Sequence, residues 1–440
     1  MIRKKQYLFV LVILSILGFF LFNKFNTRLI KSGSDIKIFV TTDIHYLAKS
    51  LTEDSEEFRK FATPKDGKQL LYIDEIMDAF TDDIKAEKPN FLIISGDLTN
   101  NGEKESHLEL AKKLNTIEKM GVKVFVTPGN HDTKNMWARG FKDGKQFPVE
   151  SIDQEEFKDI YNNFGYKEAI SEDKSSLSYL VAPSEDIWLL MIDSNLYFDG
   201  QGMPTNRGII TTETLEWIKT CSDLAKEKNA QIITVMHHNL LKHSERMSDG
   251  NTLDNSKEAI TVFKELDLDI ILSGHIHIQN IAVDNNEDKS ITEIVTSSLS
   301  VYPQQYGVID YSNSSGLNYN TAKVKVEEWA RKQNIEDENL INFREYSRNT
   351  FYNRPYSRAY FSLEENGGYN EKEMEQMSEV VGLLNLAYFE GNVFNIKEDI
   401  INLPIYKLIL ATDSDYVYDF VYSMIFSGIR DNSSIHIPAK

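Results

Sequence analysis

Short apolar runs alternate with stretches of helical spacing over the first three quarters of the chain. Ile36 to Thr41, Phe91 to Ile94, Val122 to Val126, Leu177 to Val181, Ile187 to Ile192, Ile232 to Met236 and Ile270 to Leu272 have the length and β-branched content of buried strands. Between them, Leu70 to Lys85 carries Leu71, Ile73, Ile76, Met77, Phe80 and Ile84 at helical intervals, and Glu103 to Met120 predicts a helix closed by Gly121. Thr211 or Thr212 is placed to cap a helix bearing Leu215, Ile218 and Leu224, and Val262 to Leu268 predicts a short helix. Ile291 to Thr296, Gly307 to Tyr311 and Thr321 to Val326 predict further strands. Ser50 to Gly67 is polar and expected to be a loop; Thr133 to Lys174 is expected to be loop with a short helix. This alternation predicts an α/β fold.

Past Val326 the period changes. Met374, Met377, Val381 and Leu384 fall on one helical face, and Tyr406 to Leu410 and Tyr416 to Phe426 follow suit. Three parts are therefore expected: 1–34, an α/β body over 35–326, and a small helical C-terminal domain over 327–440. The many Tyr and Phe of the last part are read as core and packing surface, and the domain as a surface for a protein partner.

The 1–34 stretch predicts an address. Met1 to Lys5 is basic and Tyr7 to Phe22 nearly all apolar; at ~1.5 Å per residue it spans about 24 Å, short of a ~30 Å hydrocarbon core. No small-residue cleavage pattern follows, so the expectation is an uncleaved membrane anchor with an extracytoplasmic body, the alternative being a cleaved, secreted form.

With 41% hydrophobic and 26% charged residues the chain belongs among globular proteins. Its net charge is −19, although the first 31 residues hold six basic side chains and no acid. So acidic a body makes a nucleic-acid polymer a poor partner, while a small anion drawn to a local dication site stays compatible. One cysteine, Cys221, excludes an internal disulfide and a thiolate metal cluster.

Each of five apolar runs ends in groups that bind metals or move protons: Asp43-Ile44-His45, Gly96-Asp97, Gly129-Asn130-His131-Asp132, His237-His238 and Gly274-His275-Ile276-His277. As parallel strands of one sheet, they would bring all five groups to its carboxyl edge. Asp43 and His45, two apart, can bind one ion while Ile44 points to the core, and Asp97 is the best bridging carboxylate. His275 and His277 could serve one ion each, Asn130 is a neutral oxygen ligand, and His131 is then free as an acid or hydrogen-bond donor. Of His237 and His238, strand alternation says only that one faces the site. Such oxygen and nitrogen donors suit a pair of divalent ions, which neutralise phosphoryl oxygens and activate water for in-line attack. His107, His243 and His436 are expected to be structural or incidental.

As a set these motifs resemble the signature of the calcineurin-like metallophosphoesterases, over about Ile36 to Tyr311. The resemblance implies a four-layer αββα sandwich of two mixed sheets flanked by helices. It implies Asp43, His45, Asp97 and His277 around one metal, Asp97, Asn130, His237 and His275 around the second, and His131 as the catalytic histidine. The helical extension is most similar to bacterial class III cyclic nucleotide phosphodiesterases, although Asn239 stands where the family often has proline. A phosphodiesterase acting on a small phosphoester such as a cyclic nucleotide is expected, with Mn²⁺ foremost and Fe or Zn as alternatives. A phosphomonoesterase and a metal-containing scaffold are the competing readings.

Overall fold

The computed structural model describes residues 29–63, 67–197, 205–244, 250–285 and 289–439. The expected membrane segment, 7–22, lies outside them. Among the described residues no helix is long and apolar enough to cross a membrane.

Two mixed sheets pack face to face. The first runs, across its width, 434–437, 316–323, 305–312, 36–41, 91–95 and 123–127. Its last three strands, Ile36–Thr41, Phe91–Ser95 and Lys123–Thr127, are parallel. The second runs 280–284, 291–295, 270–273, 231–235, 187–191, 179–181 and 171–172, with a parallel centre formed by Ile187–Met191, Gln231–Val235, Ile270–Ser273 and Ile291–Val295. The five motif-bearing strands are thus split, three in one sheet and two in the other. A single shared edge, as the apolar runs alone suggested, is replaced by two edges that meet. Strand order is set by pairing between distant segments, which local apolar runs do not encode.

Strands apolar on both faces are covered on both faces. In Ile187–Met191, alternate residues Ile187, Leu189 and Met191 join the core between the sheets, while Trp188 and Leu190 pack with Leu215, Ile218 and Phe263 of the outer helices Thr212–Glu227 and Ser256–Leu266. Thr211 caps the first of these by accepting from the Thr214 amide. On the other side Phe39 meets Phe80 of the Ile73–Glu87 helix. Helix, sheet, sheet, helix is the resulting order of layers.

Two expected loops hold structure. Glu56–Ala62 is a helix capped by Ser55 with Glu56 and Glu57 in its first turn. Within 133–174 the expected short helix is Gln154–Ile160, and the unexpected element is a hairpin ahead of it that pairs Arg139–Lys142 with Lys145–Pro148.

From Val326 to Ser427 the chain is helical, its longest members being Phe343–Asn366 and Glu371–Glu390. Their core, including Leu363, Val381, Leu384 and Val421, takes in Val295 of the second sheet and Ile276 and Ile278 of the loop between its 270–273 and 280–284 strands. The Gln279 amide donates to the Phe389 carbonyl at 3.2 Å. After the helices the chain returns as a strand, Ser434–Ile437, antiparallel to Gly316–Lys323 at the rim of the first sheet. There His436 bonds Asn318 at 2.8 Å.

Candidate metal centre

The three parallel strands of the first sheet deliver Asp43, Asp97 and Asn130–His131, and the 231–235 and 270–273 strands deliver His237, His275 and His277. All of these side chains converge where the carboxyl ends of the two sheets meet.

Asp43, His45 and His277 form one cluster, and Asp97, His237 and His275 another, each with its ligand atoms within 4.8 Å of one another. In the first, His277 Nε2 is 3.4 Å and His45 Nε2 3.8 Å from Asp43 Oδ1, and the two ring nitrogens face each other at 3.1 Å. In the second, His237 Nε2 is 3.3 Å from Asp97 Oδ2, 3.2 Å from Asn130 Oδ1 and 3.2 Å from His275 Nδ1. Asp97 Oδ2 also lies 3.7 Å from His45 Nε2, which puts this carboxylate between the clusters.

The backbone is strained where it presents these groups. Asp43, His45, Asp97, His275 and His277 have φ of 50°, 47°, 48°, 73° and 61°, the left-handed region that side-chain-bearing residues avoid. Surrounding bonds hold them there. Asp43 Oδ2 accepts from the Thr42 hydroxyl and the His275 amide, and its carbonyl accepts from Ser298 and Ser300. Glycines permit the approach: a Cβ on Gly129 would sit 2.2 Å from Asp97 Oδ1, and one on Gly274 would sit 1.9 Å from Thr42 Oγ1.

Buried Asp43 Oδ1 has no hydrogen-bond partner. An ionised oxygen left without one is costly unless a cation meets it. Burial alone would raise both carboxyl pKa values, but the charges of His277 at Asp43 and His237 at Asp97 outweigh it and keep them low. Burial, with Lys68 adding, holds His45 far below the usual imidazole value, and burial with His237 brings His275 to about 4. Neutral imidazoles and ionised carboxylates are the forms that bind metal. His237 is the exception: burial lowers it, Asp97 more than reverses this, and it reaches about 9. A cation at Asp97 would take that proton's place. The donor set and its charge states fit two divalent ions.

His131 Nδ1 lies 2.7 Å from the Asn100 carbonyl and 3.2 Å from Asn101 Oδ1, both acceptors, so Nδ1 carries the proton and Nε2 is left for the cleft. Its amide donates to Asp97 Oδ1 at 2.9 Å, and its ring meets His45 edge-on at 4.9 Å. It also clusters with His45 and Asp97 within 4.8 Å, so distance alone would allow it to be a ligand.

His238 points aside, its Nδ1 2.9 Å from Ser194 Oγ, which leaves His237 as the one of the pair at the centre. Asn239 donates to Ser273 Oγ and the Gly274 carbonyl, lacing the histidine pair to the next motif. His243 lies away from both clusters, bound to Asn280 at 2.8 Å and 3.0 Å from buried Glu293. His107 is enclosed by Tyr161, Thr99 and the Asp132 carbonyl.

Two contributors had no assigned role in the sequence. Asp132 accepts from the amides of Leu98, Thr99 and Gly129, tying the Asp97 and Asn130 loops together; it ends a motif already singled out. Lys68, buried on the cleft wall beside His277, falls between the expected 50–67 loop and the expected helix from Leu70, and nothing local marks it.

Residues 36–279, more than half of the chain, match the calcineurin-like phosphoesterase family, and residues 325–431 match the C-terminal domain of cyclic nucleotide phosphodiesterase. No curated protein matches the chain. Similar solved structures include a dimetal phosphatase from Danio rerio, at 10% identity over 65% of this chain and 95% of that one with a TM-score of 0.45. Purple acid phosphatase PPD1 from yellow lupin (Lupinus luteus) is another, at 12% identity over 67% and 52% with a TM-score of 0.42. With its family signature matched from the first strand through the last histidine motif, the chain belongs to the calcineurin-like phosphoesterases and is a metal-dependent phosphoester hydrolase.

Proposed function

We propose that this hydrolase is a phosphodiesterase acting on a small phosphodiester such as a cyclic nucleotide. The observation that carries the reading is Asp97, held between two complete donor sets, with His131 beside it and bound to neither Asp43 nor His237. The match of 325–431 to a cyclic nucleotide phosphodiesterase domain supports the diester. Mn²⁺ is the proposed metal, since oxygen and imidazole donors without sulfur suit it.

Asp43, His45, Asp97 and His277 would hold one ion, and Asp97, Asn130, His237 and His275 the other. Such a pair supplies charge neutralisation of the phosphoryl oxygens and an acidified water. His131 does the remaining work. Asn100 fixes its ring through Nδ1, so Nε2 is aimed at the reacting phosphate. Burial lowers its pKa, Asp97 pulls the other way and Lys68 adds to the lowering, so the ring waits neutral. The charge of an arriving phosphate favours uptake of a proton from solvent at Nε2, which then passes that proton to the departing oxygen and returns to the neutral form. Anchoring through 7–22, with the enzyme outside the cytoplasm, is part of the proposal and rests on the apolar run alone.

The test is a rate panel of 3′,5′- and 2′,3′-cyclic nucleotides, linear diesters and monoesters across Mn²⁺, Zn²⁺, Fe²⁺ and Mg²⁺. Metal-dependent hydrolysis favouring diesters, abolished in Asp97→Ala, is expected. Preference for monoesters would overturn the diester assignment, and normal turnover by Asp97→Ala would overturn the mechanism.

A further inference from the structure

A cavity of about 430 Å³ opens beside His275 and His277, and its opposite wall is the Phe343–Asn366 helix of the C-terminal domain. Its charge is unlike the rest of the molecule. Lys68, Arg354 and Arg358 line it, and among the described residues no aspartate or glutamate does, in a chain of net charge −19. Arg354 and Arg358 stand one helical turn apart, which places them on the same face. The Arg358 guanidinium lies over the Tyr416 ring at 4.4 Å, a contact that holds the planar group in place. Phe351 and Phe420 add apolar surface. The wall is fixed to the catalytic body through Ser347, whose hydroxyl donates to Gln304 at 3.0 Å.

We propose that this cavity is the subsite for the nucleoside half of the substrate, with Arg354 and Arg358 as specificity residues that the C-terminal domain lends to the metal centre. The proposal rests on the phosphodiester reading. A volume of this order holds a ligand of nucleoside size. Guanidinium groups recognise a base in two ways, by stacking on its plane and by forked donation to its ring and carbonyl acceptors, and the largely buried Phe351 and Phe420 add apolar lining for its ring. A second phosphate would use the cations but not the rings; a base uses both. The excess of positive charge serves the same substrate by drawing an anion past an otherwise acidic surface.

The test compares two chromogenic diesters with one leaving group: thymidine 5′-(4-nitrophenyl phosphate) and methyl 4-nitrophenyl phosphate. The metal-loaded wild type should favour the nucleoside ester by at least about tenfold in kcat/KM, chiefly through KM. In the Arg354→Ala/Arg358→Ala double variant that preference should collapse, with metal content retained. The Arg354→Lys/Arg358→Lys variant keeps the charge without the planar fork and should lose most of the preference too. No wild-type preference, or a preference surviving the alanine pair, overturns the subsite. Full preference in the lysine pair overturns recognition of the base by the planar guanidinium fork. Absence of metal-dependent hydrolysis of both diesters is a different failure, that of the phosphodiester reading itself.

Discussion

His237 Nδ1 lies 2.9 Å from the carbonyl of Ser95, so a histidine at the end of one sheet is oriented by the last residue of a strand in the other. The bond directs Nε2 at Asp97, two residues beyond that strand. His237→Ala should therefore both open the second donor set and unfasten the sheets at this corner. Bound metal is expected to fall toward one ion per chain by elemental analysis, with kcat/KM down by about two orders of magnitude or more. His237→Ala retaining two tightly held ions would refute the assignment.

His131→Ala should behave differently. Because Asn100 and Asn101 hold this ring by Nδ1, its loss should spare both ions and lower kcat by about 10²–10⁴. Metal analysis beside steady-state kinetics distinguishes the cases. Loss of metal would make His131 a ligand, as its distance to His45 and Asp97 permits.

Gly129→Ala should damage the site without removing a donor. The added Cβ would meet the Asp97 backbone nitrogen at 2.3 Å and Oδ1 at 2.2 Å, and a backbone atom cannot swing aside. A stability loss of about 1–3 kcal/mol is expected from overpacking, with weakened metal binding. Thermal melts of metal-free and metal-loaded protein would show it as a lower Tm in both and a smaller gap between them.

Glu103, buried ahead of the Lys104–Lys119 helix, gives a pH-dependent prediction away from the metals. One carboxylate oxygen accepts from the Asn101 amide at 3.0 Å and the other has no partner. Burial outweighs these bonds and raises its pKa from 4.5 to about 7. Between those values the folded chain binds the extra proton, so this group's contribution to stability falls as pH rises from 4.5 through 7, by about 3 kcal/mol in all. Glu103→Gln should match the wild type near pH 4 and exceed it near pH 8. Denaturant melts at both pH values check this; a gain confined to the acid side would contradict it.

The motif strands were legible because each is apolar on both faces and ends in a ligand-type residue. Their division between two sheets was not, because pairing such as Ile271 with Thr234 joins distant segments. Asp43, His45 and Asp97 could be named, but their left-handed backbone could not: it exists only once Thr42, Ser298 and Ser300 close around it. Asp132 belongs to the Gly-Asn-His-Asp motif, and its role appears only when the Leu98 and Thr99 amides arrive. Arg354 and Arg358 are exposed helix charges in the fold as in the sequence, and only the docking of their helix beside His277 puts them on a cavity wall.

The strand Ser434–Ile437 follows all the C-terminal helices, yet pairs with Gly316–Lys323, which precedes them. The helical domain is therefore tethered at both of its ends to the same sheet, so it is ill suited to swing as a hinged cover. There is a consequence for biogenesis. A ribosome must finish the helices before this sheet can gain its outermost strand, and until then Gly316–Lys323 presents unpaired backbone to any passing chain. Maturation of the catalytic half is thereby coupled to completion of the half that walls its cleft, and truncated products should be aggregation-prone rather than active.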